Sequence, residues 1–228
     1  MKILHLIYDH INNPWVGGGG AVRVYEIYKR LAHRHTITVI CGRYPGAKDY
    51  SEGNLSFFFL GTSKNNYILS TVFFAFKAAL FVKKYGSAYD IVAEDFAPYN
   101  PVFSFLWNKK AVLQLHQKEG MLHLKKHFLI GLFFISLEKV YHRFFRNIIV
   151  ENEYNKKKFL LRDDSIVIPN GFDGQLLNEE AVYGCYILYL GRLHINQKGL
   201  DILHESLEHI SGGYKIFIAG GGKDSAKA

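Results

Sequence analysis

Cysteine is scarce in this chain, and the two present, Cys41 and Cys185, lie far apart and in no metal-type spacing. A disulfide scaffold and a thiolate metal site are both excluded by that count, and a reduced, cytosolic chain is the simplest reading. Long apolar runs are missing too. The richest stretch, 65–84, is broken by Lys77 and ends at Lys83-Lys84, and the next, 128–137, is shorter still. Neither reaches the ~20 uninterrupted apolar residues that span a bilayer. Lys2 leads at once into a short strand, with neither a secretory apolar core nor a cleavage site, so no signal peptide is expected. There is no GxGxxG, which argues against a nicotinamide or flavin fold, and no Asp-x-Asp, so no metal is expected. Basic residues are scattered and no familiar nucleic-acid motif appears, so nucleic acid is not an expected partner. Internal repeats and low-complexity segments are absent as well.

What remains is a 228-residue globular chain, 49% hydrophobic and 15% aromatic, large enough to bury a core. Its formal net charge is +8. An affinity for anions and a merely soluble basic surface are equally good readings of that charge.

Strand-like apolar runs occur at 2–8, 36–41, 55–60, 90–94, 110–115, 147–150 and 165–168. Helical patterns fall at 21–33, 65–84, 121–146 and 153–161. Alternation of this kind predicts a Rossmann-like α/β domain around a parallel sheet. The helix at 65–84 is apolar nearly all round, which predicts burial on more than one side. The stretch 121–146 is long, basic and aromatic. It reads first as a helix covering the sheet, and second as an interfacial helix on an anionic membrane.

Three places are candidates for chemistry. Gly17-Gly18-Gly19-Gly20 precede the first helix, where bare backbone and free N–H groups admit a ligand, although a glycine run there is more often only a flexible loop. His116 follows the fifth strand and faces the same strand-end crevice, although an isolated histidine is usually structural. The third is a βαβ unit at 186–222. A strand read as buried, 186–190, ends at Gly191-Arg192, and Lys198-Gly199 precede a helix whose Leu200, Leu203, Leu207 and Ile210 share one face. A second strand, 214–219, ends in Gly220-Gly221-Gly222. Ligands bind outside the carboxyl ends of such strands. There Arg192 offers a fork and Lys198 a movable point charge, a pair suited to a diphosphate.

The phrase GR…QKG after a strand, with IPNGFD upstream and IAGGG downstream, resembles the retaining glycosyltransferases of family 4. The resemblance implies a GT-B fold: a Rossmann-like N-terminal domain at 1–173, a linker at 174–185, and the incomplete start of a second Rossmann-like domain at 186–228. It implies a nucleoside-diphosphate sugar as donor, a saccharide or lipid-linked acceptor hydroxyl, retention at the anomeric carbon, and no separate cofactor. Arg192 and Lys198 would stabilise the diphosphate without metal, and His116 would touch the transferred sugar. Gly18, Gly19, Gly20, Gly220 and Gly221 would lie along the donor. The setting would be cytoplasmic, with 121–146 at the inner face of a membrane as one option.

The sequence departs from the family at its end. The expected Glu-x7-Glu element is not reached before Ala228, and about 45 residues make a second domain too small to hold a core alone. The chain therefore reads as a piece of a longer enzyme. The other reading is a non-catalytic module that holds an anion or a partner. A nucleotide-sugar epimerase of the same fold ranks below both, with Glu94 and Asp95 its only nearby acid/base candidates.

Overall fold

The computed structural model describes residues 1–62, 64–118, 120–121, 128–172, 174, 184–193 and 195–222. The chain divides into two compact units, Met1–Gly171 and Phe172–Ala228. Much of the expected linker, 175–183, lies outside the described residues, as do 122–127 of the basic aromatic stretch.

The first unit is built on β1 (Lys2–Ile7). Its apolar run, interrupted only by His5, reflects cover on both of its faces. Ile3 and Ile7 pack with Val24 and Tyr28 of α1 (Gly19–Leu31), while Leu4 and Leu6 pack with Phe74, Ala78 and Val82 of α2 (Tyr67–Tyr85). Such two-sided burial is what a continuous strand in a parallel sheet reflects. Around β1 stand β2 (Thr36–Gly42), β3 (Tyr50–Glu52), β4 (Leu55–Leu60), β5 (Ile91–Asp95) and β6 (Ala111–Leu115). Then follow α3 (Phe128–Val140), β7 (Asn147–Val150), α4 (Glu153–Phe159) and β8 (Ile166–Val167). The eight strands run in the order β3-β4-β2-β1-β5-β6-β7-β8. All pairs are parallel except β3 with β4. β3 is not apparent from the sequence pattern. It forms because Gly53, at φ +60°, turns the chain tightly, and because Tyr50 stacks on Phe57 at 4.8 Å.

The order reverses at β1, whose two neighbours are β2 and β5. The chain leaves β1 toward one edge and returns through α2 to continue on the other side. A crevice opens beyond the strand ends at this kind of switch point.

α2 begins at Tyr67 because the Asn66 side chain accepts the Leu69 N–H at 3.0 Å, a cap worth about 1 kcal/mol. The helix is not buried on more than one side, as its all-round apolarity predicts. Ser70, Thr71, Phe74, Ala78 and Val82 face the sheet, whereas Ile68, Val72, Phe73, Phe76 and Leu80 are exposed. Each of those large side chains forgoes part of the roughly 1.5–3 kcal/mol that full burial brings. No neighbouring element among the described residues covers the outer side.

The second unit carries β9 (Tyr186–Leu190), a single turn α5 (Ile195–Lys198), α6 (Leu200–Leu207) and β10 (Lys215–Ala219). β9 and β10 pair in parallel in a two-stranded sheet. The βαβ order matches the expectation but the burial does not: Leu188 is 52% and Leu190 77% exposed. A two-stranded ribbon with a single helical turn and one short helix cannot cover both faces of its own strands.

One buried contact fixes the loop between β5 and β6. Glu94 is fully buried and accepts the N–H groups of Val102 at 3.0 Å and Ser104 at 2.9 Å, and the Tyr141 hydroxyl at 2.6 Å. That hydroxyl in turn accepts the Phe103 N–H at 2.6 Å, holding Phe103 in the left-handed region at φ 57°. Glu94 is thus a structural group and not an acid/base catalyst. Tyr141→Phe strips a donor from a buried carboxylate and an acceptor from a buried N–H. It should lower the unfolding free energy by roughly 2–4 kcal/mol, read as a shifted urea midpoint at unchanged slope.

Candidate functional site

Three central strands of the first unit each end in a titratable residue. Asp95 closes β5, His116 follows β6 and Glu151 follows β7. Parallel pairing of Leu115 with Val150 sets His116 opposite Glu151, while Asp95 pairs with Gln114, two residues before His116. The His116 ring spans the two carboxylates, with Nε2 2.9 Å from Asp95 Oδ2 and Nδ1 2.6 Å from Glu151 Oε1. With both nitrogens donating, the ring is an imidazolium.

Burial alone would lower the His116 pKa, but the charge of Asp95 and the bonds to Asp95 and Glu151 outweigh it and push it up to about 10. Burial would raise Asp95, yet the imidazoles of His116 and His5 hold it well below the usual carboxylate range. Glu151 is lowered chiefly by its hydrogen bond from His116, against a smaller opposing effect of burial. His5 Nε2 lies 3.2 Å from Asp95 Oδ1, at ion-pair distance but off the line of a good hydrogen bond. Its Nδ1 shares a 2.7 Å hydrogen bond with the Tyr28 hydroxyl on α1.

The glycine loop meets this clamp directly. Asp9 accepts the N–H groups of His10 at 2.8 Å and Gly18 at 2.9 Å, folding the loop back on the end of β1. α1 then starts from Gly18, and no side chain caps its first turn. A Cβ built on Gly20 would stand 3.6 Å from the His116 ring, whereas one on Gly19 would meet nothing within 4 Å. Gly19 therefore borders open space beside a helix N-terminus, where free N–H groups favour negative charge. Arg23, one turn on, is buried and donates to Asn170 Oδ1 at 2.6 Å and the Ile168 carbonyl at 2.9 Å. The Pro-Asn-Gly turn is thereby tied to the glycine-loop helix.

Of the sequence candidates, Gly18, Gly19, Gly20 and His116 come together in the first unit. Arg192 and Lys198 belong to the second, where both are exposed. Lys198 ends α5 because Gly199, at φ +65°, breaks the chain before α6 begins. Gly220 and Gly222 have a packing reason to be glycine: a Cβ on Gly220 would lie 1.8 Å from the Gly191 carbonyl, and one on Gly222 2.4 Å from that of Leu193. Gly221 has open space. In the loop between β5 and β6, Tyr99 packs edge-on against Phe134 at 4.9 Å, and Asn100 is buried. Among the described residues no group of His, Cys, Asp and Glu has metal-holding geometry.

The clamp has a pH signature. A raised histidine value makes its contribution to stability complete below the unfolded pKa of about 6.5. That contribution is lost as pH climbs through about 10. The lowered carboxylates contribute fully above about 4.3 and lose their share as pH falls. The difference in unfolding free energy between the native chain and His116→Gln should therefore be widest between roughly pH 5 and 6.5 and narrow at higher pH. NMR of the ring should show no titration step across neutrality. A step near the ordinary histidine value would rule out the ionic clamp.

No curated protein matches the sequence. Among solved structures, the chain is similar to sucrose-phosphate synthase from Thermosynechococcus elongatus. That match has 14% identity and a TM-score of 0.66, covering 98% of this chain and 63% of that one. It is also similar to the catalytic domain of Starch Synthase IV from Arabidopsis thaliana bound to ADP and acarbose. There the identity is 11% and the TM-score 0.53, over 96% of this chain and 68% of that one. The chain thus spans under two thirds of the sucrose-phosphate synthase structure. At such identities the likeness is one of fold, and the fold is of GT-B type. The profile of Glycosyltransferase Family 4 matches residues 17–176, from the glycine loop through the clamp to the Pro169-Asn170-Gly171 turn, and the chain belongs to that family.

Proposed function

We propose that the parent of this chain transfers a sugar from a nucleoside-diphosphate donor to an acceptor hydroxyl, with retention at the anomeric carbon and without metal. The observation that carries the reading is the clamped His116 beside the uncapped Gly19-Gly20 start of α1, at the switch point of a Family 4 domain. The structure of Starch Synthase IV, bound to ADP and acarbose, supports a nucleotide donor and a saccharide acceptor.

The assigned roles follow from charge and access. In the second unit Arg192 and Lys198 neutralise the diphosphate as the bond from anomeric carbon to phosphate oxygen breaks and its electron pair leaves with the nucleotide. Preorganised cations aimed at that developing charge are electrostatic catalysis. The acceptor oxygen bonds to the anomeric carbon, and its proton passes to the departing phosphate oxygen. In the first unit His116 orients the sugar. Both of its nitrogens are already engaged, so it acts as a fixed ring held by two carboxylates. Glu151, 19% exposed against 5% for Asp95, is the one open to a sugar hydroxyl. The acceptor is a saccharide or lipid-linked alcohol, and the setting is cytoplasmic.

Two measurements on the full-length parent test the assignment. Arg192→Ala and Lys198→Ala should each lower turnover by about 10²–10³ at unchanged fold, and near-native turnover in both would refute the cation roles. Gly19→Ala is sharper. Its added methyl meets no protein atom, and Ala is the better helix former, so stability should hold or rise by up to about 1 kcal/mol. Donor binding, followed by calorimetry with UDP- and GDP-sugars, should nevertheless weaken at least tenfold, roughly 1.4 kcal/mol. Unchanged binding would show that no ligand approaches that backbone. Tight binding without sugar transfer in the completed protein would favour the non-catalytic module.

A further inference from the structure

The outer side of α2 is a feature of the first unit that the proposed chemistry does not use. Val72, Phe73, Phe76 and Leu80 are all exposed and project within a narrow arc, opposite the arc of Phe74, Ala78 and Val82 that faces the core. A helix with two apolar stripes on opposite sides needs a second apolar environment. The lower end of the stripe carries aromatic–lysine pairs. Lys83 Nζ stands 4.9 Å over the ring of Trp107, itself 43% exposed, and Lys84 Nζ stands 4.9 Å over Tyr85. Tryptophan and tyrosine beside long basic side chains are the chemistry of a bilayer's headgroup level.

Charge identifies the occupant. From Gly61 to Tyr89 the sequence has four lysines, Lys64, Lys77, Lys83 and Lys84, and no Asp or Glu. From Phe96 to Lys118, the stretch that holds Trp107, it again has lysines and no carboxylate. A second copy meeting this face about a two-fold axis would set lysine against lysine, which disfavours self-association. An anionic lipid surface accepts the apolar stripe among its acyl chains and the lysines among its headgroups. No described helix is long and apolar enough to cross a membrane, so the helix would lie in the interface plane.

We propose that α2, with Trp107 at its end, is a docking surface for an anionic lipid bilayer. This moves the membrane-facing element from 121–146, where the sequence suggests it and where Ile130, Leu132 and Phe133 of α3 are also exposed, to a helix whose apolar outer stripe lies in a stretch without carboxylates. It does not rest on the sugar-transfer reading, because binding to lipid is measured without donor or acceptor.

The test is sedimentation of the 228-residue chain with vesicles of phosphatidylcholine alone and of phosphatidylcholine with phosphatidylglycerol. Binding should require the anionic lipid and weaken with salt. Phe73→Ser with Phe76→Ser, both at exposed positions, should reduce it at least about tenfold while circular dichroism and the urea midpoint stay unchanged. Lys83→Glu with Lys84→Glu should reduce it by a similar factor. Equal binding to neutral vesicles, or no binding to either, would overturn the proposal. So would loss of binding on Phe133→Ser in α3 with the α2 variants unaffected. A concentration-dependent dimer abolished by Phe73→Ser with Phe76→Ser would assign the face to a second copy instead. If an extended parent chain covered the stripe and abolished lipid binding, the face would belong to an intramolecular contact, and the proposal would again fail.

Discussion

A buried carboxylate must have its charge matched, and at the end of β5 two of them stand side by side. Successive side chains of a strand point to opposite faces, so Glu94 and Asp95 meet entirely different surroundings. Glu94 turns toward Tyr141 and is satisfied by two backbone N–H groups and a hydroxyl. Asp95 turns toward α1, where its Oδ2 is hydrogen-bonded to His116 and its Oδ1 has His5 alongside at 3.2 Å. One carboxylate therefore anchors a loop and the other holds a cation at the mouth of the sheet. The same alternation on β1 sends His5 toward Tyr28 and Leu4 and Leu6 toward α2. The placement of the site is a consequence of strand parity at a single position.

Much of the fold was legible because it rests on two strong signals. Unbroken apolar strands alternating with helical patterns lead to a parallel sheet, and the glycine run and the Pro-Asn-Gly turn mark where the chain must bend. His116 was legible as a candidate only through its place after a strand and its family resemblance. Its partners were harder to read. Asp95 and Glu151 lie 21 and 35 residues from His116 in sequence. Yet a local signal existed, since three neighbouring strands are each closed or followed by a titratable residue. β3 was missed because three residues held by a turn and one aromatic stack leave almost no periodic trace.

Burial was the least legible property. The apolar stretch of α2 and the apolar strand β9 both read as core, and both expose large side chains. Composition reports what a segment would prefer to bury and says nothing of what is available to cover it. For β9 the described second unit has one strand, a single helical turn and one short helix to offer, too little to close a core around it. For α2 the sheet takes one stripe and leaves the other.

Glycine carries two distinct meanings along this chain, and the difference separates architecture from chemistry. Gly220 and Gly222 are glycine because neighbouring carbonyls occupy the space a Cβ would need, so any side chain there would push the strand ends apart. Gly19 has no such reason, with open space beside it and no side chain capping the helix it begins. A helical position without steric need for glycine gives up about 0.5–1 kcal/mol relative to alanine. On the proposed function, access of a ligand to bare backbone beside the clamped imidazolium offsets that cost in a marginally stable domain.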